Sequence, residues 1–223
     1  MIIKSINKTT LLDYPGKVAA TIFLAGCNMN CSFCHNKDLI RMDESNSISK
    51  IELFEFLEKR KNELDGVCIT GGEPTLNSDL VSLIKDIKNL GYLVKLDTNG
   101  TNPDMVSYLI NEKLVDYIAM DIKTSFEHYK EITNSNNNVQ DIIKSVDIIR
   151  NSNVDHEFRT TVISDIKLDD LVSIAKYISP SKYYLQEFKD FPGNNGVTGI
   201  SLEVLEHYRD ACSLYTETNL RKK

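Results

Sequence analysis

A chain of 223 residues with 41% hydrophobic and 26% charged residues has the length and balance of one soluble domain with a sizeable core. Its 26 Lys and Arg against 32 Asp and Glu leave a net charge of −6, which excludes an overall basic footprint for nucleic acid. No apolar run approaches the roughly 20 residues of a membrane span, and residues 1–10, with Lys4 and Lys8, lack a signal-peptide core. The expectation is a cytoplasmic protein with neither membrane nor nucleic-acid partner.

Strand and helix patterns alternate along the chain. Residues 18–25 (VAATIFLA) form a short apolar, partly β-branched run, the pattern of a buried strand. Residues 28–46 are polar and carry cysteines, which predicts a long ligand-wrapping loop. Ser47 or Ser49 caps a helix to about residue 64, with Ile51, Phe54 and Leu57 at helical spacing. Strands follow at 66–70, 92–97, 116–122, 157–163 and 182–188. Helices are expected at 78–90, ended by Gly91, at 103–112, opened by Pro103, and at 139–151, 168–178 and 202–215. Ser135–Asn138 (SNNN) reads as a low-complexity turn and nothing more. Six strands separated by helices imply parallel pairing with right-handed crossovers, in an open or a barrel-like sheet.

Chemistry concentrates in Cys27-Asn-Met-Asn-Cys31-Ser-Phe-Cys34, just past the first predicted strand. Clustered cytosolic cysteines point to metal or redox chemistry. A four-iron cluster normally takes four thiolates, so three local cysteines would leave one iron open, as a catalytic site requires. Zinc on the three cysteines and His35 is an alternative. Covalent haem at Cys31-Ser-Phe-Cys34-His35 would require export and leaves Cys27 without a role. Unreactive core thiols fit poorly with so polar a segment. Cys68 and Cys212 read as packing thiols. His128, His156 and His207 have no partner pattern, and His35 is open between supporting the cysteine site and facing solvent. The second motif is Thr70-Gly71-Gly72-Glu73-Pro74 at a strand end. Its glycines allow a close ligand approach and Glu73 can accept from an ammonium group; by itself the motif is also an ordinary strand-to-helix turn.

With CxxxCxxC and GGEP together, the sequence resembles the radical S-adenosylmethionine (SAM) superfamily over nearly its whole length. The resemblance implies a partial (β/α)6 TIM-type barrel of six parallel strands, as one domain over 1–223, with a cluster loop at 26–38 and a C-terminal loop and helix at 189–223. Active sites on such scaffolds lie at the C-terminal strand ends, where both motifs fall. In that family the cysteines, here Cys27, Cys31 and Cys34, hold a [4Fe–4S] cluster whose fourth iron is chelated by the methionine part of SAM. Reductive cleavage of SAM then gives a 5′-deoxyadenosyl radical that abstracts hydrogen from a substrate. By the same resemblance Gly71, Gly72 and Glu73 contact the SAM amino group, and Phe33 lies on the adenine side. Asp97, Thr98 and Asp121 are candidates for a monovalent cation, and Asn99 joins the cofactor-binding set. Lys123 and Arg159 are partners for the SAM carboxylate, and Gln186 for the ribose. For each strand-end charge the plain alternative is exposure to solvent.

From Leu11-Leu-Asp-Tyr-Pro-Gly16 through DTNG and MDIK, the chain looks most like the anaerobic ribonucleoside-triphosphate reductase activating proteins. That implies a glycine of a partner reductase as substrate and flavodoxin or ferredoxin as a low-potential electron donor. Better-understood activases have Asp-Gly-Pro-Gly where this chain has Asp13-Tyr14-Pro15-Gly16. Tyr14 would narrow the approach of a protein backbone and offer a stacking face to a planar molecule; packing is the other reading of this side chain. A second expectation is therefore a lyase on a modified nucleoside, such as a queuine-releasing enzyme of base salvage. Asp13, Tyr14 and residues 188–199 would then line its pocket. Whether residues 190–195 close as a lid stays open. A non-catalytic iron–sulfur electron carrier is the third reading, which GGEP and the strand-end charges disfavour.

Overall fold

The computed structural model describes residues 1–191 and 196–221. Its strands are β1 (Ile3–Thr10), β2 (Ala19–Leu24), β3 (Gly66–Gly71), β4 (Leu93–Thr98), β5 (Tyr117–Asp121), β6 (Asp155–Val162), β7 (Tyr183–Glu187) and β8 (Thr218–Arg221). They form one sheet in chain order, in which β1 runs antiparallel to β2 and all other neighbours are parallel. The expected six parallel strands are β2 to β7, the partial-barrel arrangement. β1 and β8 are additions to it. Both are polar and lie at sheet edges, so neither carries the apolar run by which buried strands are recognised.

Helices α1 (Lys50–Lys59), α2 (Leu80–Asn89), α3 (Pro103–Asn111), α4 (Tyr129–Thr133), α5 (Val139–Arg150), α6 (Leu168–Ile178) and α7 (Leu202–Ser213) fill the crossovers. Their limits follow local chemistry. Ser49 and Glu52 close a capping box on α1, Asn102 caps α3 ahead of Pro103, and Ser201 caps α7. Gly91, at φ +93°, supplies the left-handed turn after α2.

The strands alternate in character. Ile22, Leu24, Val67, Ile69, Val94, Leu96, Ile118 and Met120 belong to a fully buried layer with Leu53, Leu57, Leu83, Ile84, Val106 and Ile142 from the helices. Each such side chain contributes about 1.5–3 kcal/mol by leaving water. The intervening positions are polar: Thr21, Cys68, Lys95, Asp97, Asp121, Glu157, Arg159 and Gln186. The interior of the curved sheet is therefore a charged layer. No described helix is long and apolar enough to cross a membrane.

The short α4 ties α6 to the cysteine loop. Asp170 accepts from Ser125 Oγ, from His128 Nδ1 at 2.8 Å and from the Lys167 amide at 3.0 Å. Beyond His128, Tyr129 is buried and its hydroxyl accepts from the Lys123 amide, while the Thr133 carbonyl accepts from the Asn30 amide. The hydrogen bond to Asp170, and then its charge, raise the pKa of His128 above the ordinary 6.5. Burial alone would raise Asp170, but its hydrogen bonds from Ser125, Lys167 and His128 outweigh this and hold it below the usual carboxylate range. A raised histidine stabilises fully below its unfolded pKa and loses that contribution as pH rises through the folded one. Wild type should therefore exceed H128N in thermal stability at pH 6, and the difference should vanish as pH rises well above 6.5, as melting curves across pH would show.

Candidate active site

Cys27, Cys31 and Cys34 all line one cavity of about 290 Å³. Phe33, Gly71, Gly72, Asp97, Thr98, Asn99, Asp121, Lys123, Arg159 and Gln186 share its walls, and so does Asp13. Residues far apart in sequence are thus brought together at the C-terminal ends of the parallel strands. Among the expected site residues, Glu73 and Tyr14 lie elsewhere.

Glu73 is fully buried, and its carboxylate is taken up by the protein itself. Oε1 accepts from the Thr75 amide and hydroxyl and from Thr98 Oγ1 at 2.8 Å, and Oε2 accepts from the Asn99 amide at 2.6 Å. It does not line the cavity, and the carboxylate that the motif aims at an ammonium group is here bonded within the protein. The two glycines also serve the chain's own backbone. A Cβ on Gly71 would lie 2.2 Å from the Leu24 carbonyl oxygen, and one on Gly72 would lie 2.1 Å from that of Gly26. The Gly72 amide donates to Leu24 O and the Glu73 amide to Gly26 O at 2.7 Å. The GGE turn is thereby pressed onto the residue that precedes Cys27.

Tyr14 is buried beneath the sheet. Its ring stands against Gly66, at the start of β3, and 6.0 Å from the ring of Tyr117, at the start of β5. Burial, followed by the charges of Asp116 and Asp155, pushes its pKa well up. The residue closes the N-terminal end of the barrel and offers no stacking face to the cavity, because its loop returns under the strands. Its neighbour Asp13 does reach the cavity, with Oδ2 accepting from Thr21 Oγ1 at 2.5 Å.

The cysteine loop is held by asparagines. Asn99 Nδ2 donates to Asn28 Oδ1 at 3.1 Å, and Asn28 Nδ2 donates to Thr101 Oγ1 and Asn137 Oδ1. Asn137 Nδ2 donates in return to the Asn28 carbonyl at 2.9 Å. The SNNN segment is therefore a clamp rather than a bare turn. Composition hides this because the partner is 109 residues away.

Burial pushes the thiols of Cys27 and Cys31 up, Cys31 to about 11, with Lys123 the largest opposing influence on Cys31. Metal binding would deprotonate them. Three soft ligands on one cavity, with no fourth cysteine in its wall, fit a four-iron cluster that keeps one iron open. Among the described residues no three His, Cys, Asp or Glu side chains close around a single-ion position. His35 instead lies against Phe191 and Phe188, at ring-centroid distances of 4.5 and 5.4 Å, which disfavours a zinc site that uses it. Cys68 lies in the barrel interior and Cys212 on the buried face of α7, with Cys212 pushed up to about 12 by burial.

The far wall is a belt of alternating charge. Lys95 pairs with Asp97 Oδ1, and Arg159 Nη1 reaches Asp97 Oδ2 at 3.2 Å. Arg159 Nε donates to Asp121 Oδ1 at 2.7 Å, and Lys123 Nζ to Asp121 Oδ2 at 3.0 Å. Burial acts against every charge here, yet the pairing outweighs it: both aspartates are held low and Lys123 and Arg159 are held high. All four carboxylate oxygens already carry protein cations, and Thr98 is turned to Glu73. The carboxylates expected to hold a monovalent cation thus carry protein cations in this structure. Below the belt Glu157 is fully buried, paired with Arg221 at 2.7 and 3.0 Å and bonded to the Tyr117 hydroxyl. Lys95, Glu157 and Arg221 were not singled out in the sequence. The period-two spacing of Lys95 from Asp97, and of Glu157 from Arg159, is the signal that places them on the same face. Of the loop at 188–199, residues 192–195, and with them most of the suggested lid, lie outside the described residues.

The radical SAM superfamily model matches residues 21–178. A Methanocaldococcus jannaschii protein named for glycyl-radical enzyme activation is 34% identical over 86% of this chain and 85% of its own length. The pyruvate formate-lyase-activating enzyme of Clostridium pasteurianum is 31% identical over 66% of the chain, which spans 63% of that enzyme. Among solved structures, Streptococcus suis SuiB bound to S-adenosylmethionine superposes on 90% of the chain and 51% of its own, with a TM-score of 0.71 at 14% identity. That likeness is one of fold.

Two outcomes follow from the packing. Gly72→Ala should destabilise the protein by about 2–3 kcal/mol in urea unfolding, because the two nearest atoms in its way, at 2.1 and 2.6 Å, are Gly26 backbone that cannot swing aside. Asn137→Ala should leave the fold intact but speed iron loss from the reconstituted protein to a chelator about five- to tenfold, as expected for about 1 kcal/mol of lost loop anchoring.

Proposed function

The chain belongs to the radical SAM superfamily, and we propose that within it the protein activates a glycyl-radical enzyme, with an anaerobic ribonucleoside-triphosphate reductase as partner. The observation that carries this reading is the cavity itself, in which the three cysteines face Arg159, Lys123 and Asp13 across one space. The 34% identity to a relative named for glycyl-radical enzyme activation supports the substrate class.

Once bound, a [4Fe–4S] cluster and SAM supply reductive carbon–sulfur cleavage and hydrogen-atom abstraction. Cys27, Cys31 and Cys34 hold the cluster. The Met29 amide, 3.5 Å from Cys27 Sγ, and Asn99 Nδ2, 4.0 Å from it, lie beside that sulfur. Lys123 and Arg159 offer donors to a carboxylate. Asp13 and Thr21 give the cavity polar groups for a peptide backbone, so a glycine loop is oriented by its amide groups and not by a side chain. Flavodoxin or ferredoxin supplies the electron, in the cytoplasm and without oxygen. Tyr14 is buried and does not line the cavity, which supports the activase reading over the nucleoside-lyase one.

The test is 5′-deoxyadenosine formation by anaerobically reconstituted protein given SAM and a strong reductant. It should be stimulated by the protein fraction of a cell extract and not by the small-molecule fraction. Added anaerobic reductase should acquire a stable glycyl radical by electron paramagnetic resonance, and Cys31→Ala should abolish both signals. Stimulation by small molecules alone would overturn the activase reading.

A further inference from the structure

Lys95 stands in the dry interior of the barrel, with its side chain 1% exposed. Its ammonium pairs with Asp97 Oδ1, lies 3.8 Å from Cys68 Sγ and stands 5.9 Å from the centre of the Tyr117 ring. It does not line the cavity and so touches nothing bound there. Burying an ammonium is unfavourable unless its charge is used, and an apolar side chain would pack at this position without that cost.

The use is visible in the belt. Asp97 has one oxygen on Lys95 and the other on Arg159, and Arg159 continues to Asp121, which holds Lys123. Three cations against two carboxylates leave the belt one positive charge. Glu157, 4.0 Å from Arg159, is already matched by Arg221. Without Lys95 the belt would be neutral, and Asp97, no longer shared, would draw the Arg159 guanidinium back from the cavity. Arg159 Nη2 has no hydrogen-bond acceptor among the described residues, so this group retains a donor for a ligand.

We infer that Lys95 is a positioning residue: by sharing Asp97 it keeps Arg159 available to a ligand carboxylate and makes the belt net positive. The inference rests on membership of the radical SAM superfamily, the ligand being the amino-acid half of SAM, and it is independent of the partner enzyme.

The test is equilibrium dialysis of labelled SAM, and of decarboxylated SAM, against the cluster-loaded, unreduced protein. Lys95→Met should weaken SAM binding about tenfold or more, as befits loss of a charge-assisted contact, with iron content and visible spectrum unchanged. Binding of decarboxylated SAM should be the same in variant and wild type, and Lys95→Arg should restore SAM binding to within about threefold. In an Asp97→Asn background Lys95→Met should add nothing further. If Lys95→Met fails to fold, Lys95→Gln carries the same comparison. Unchanged SAM affinity, or equal weakening for both ligands, would overturn the inference. Failure of the wild type to bind SAM at all would instead overturn the cofactor reading.

Discussion

The cysteine loop depends on one buried carboxylate. Glu73 gathers four hydrogen bonds from Thr75, Thr98 and Asn99, and so joins the ends of β3 and β4. An unpartnered carboxylate in such a place would be strongly unfavourable, and a fully satisfied one is rigid. Rigidity then passes outward. Gly71 and Gly72 seat against the β2 end, Asn99 holds Asn28, and Asn28 is closed from the far side by Asn137. Three flexible cysteine side chains thereby share one cavity without a regular element of their own.

The second organising fact is polarity inside the barrel. Helix-facing positions of the strands are aliphatic and supply the hydrophobic free energy. Lumen-facing positions carry Lys95, Asp97, Asp121, Glu157 and Arg159, none of which is isolated. Each charge is matched by a partner on its own strand or on another strand of the sheet, so the layer is held together by pairing rather than by hydration. Such a layer contributes less stability than an apolar one. It places a preorganised array of donors against the cavity, where a ligand's charges replace water.

Fold and site were legible to different depths. The six parallel strands follow from apolar runs of the right length, and the helices from caps such as Ser49–Glu52 and the stop at Gly91. Edge strands β1 and β8 were not legible, because a strand with one solvated side and polar residues has no hydrophobic signature. Cys27, Cys31, Cys34 and the strand-end residues Asp97, Asp121, Lys123 and Arg159 were legible as motifs. The directions of Glu73 and Tyr14 were not. A carboxylate after two glycines and a tyrosine in a turn each have two equally good destinations until the neighbouring backbone is known.

The sequence by itself carried the family resemblance, in its CxxxCxxC and GGEP motifs, and the alternation of the parallel strands with helices along the chain, because these reside in local spacing and in period-two or helical patterning. Only the tertiary structure decided that Glu73 is a structural node, that Tyr14 closes the barrel floor, that Asn137 clamps a loop 109 residues away and that Lys95 belongs to the charged belt. The reason is physical. Buried polar side chains are assigned by which partner lies within hydrogen-bond reach, and that partner comes from another strand or loop, whose position is set by the packing of the whole chain.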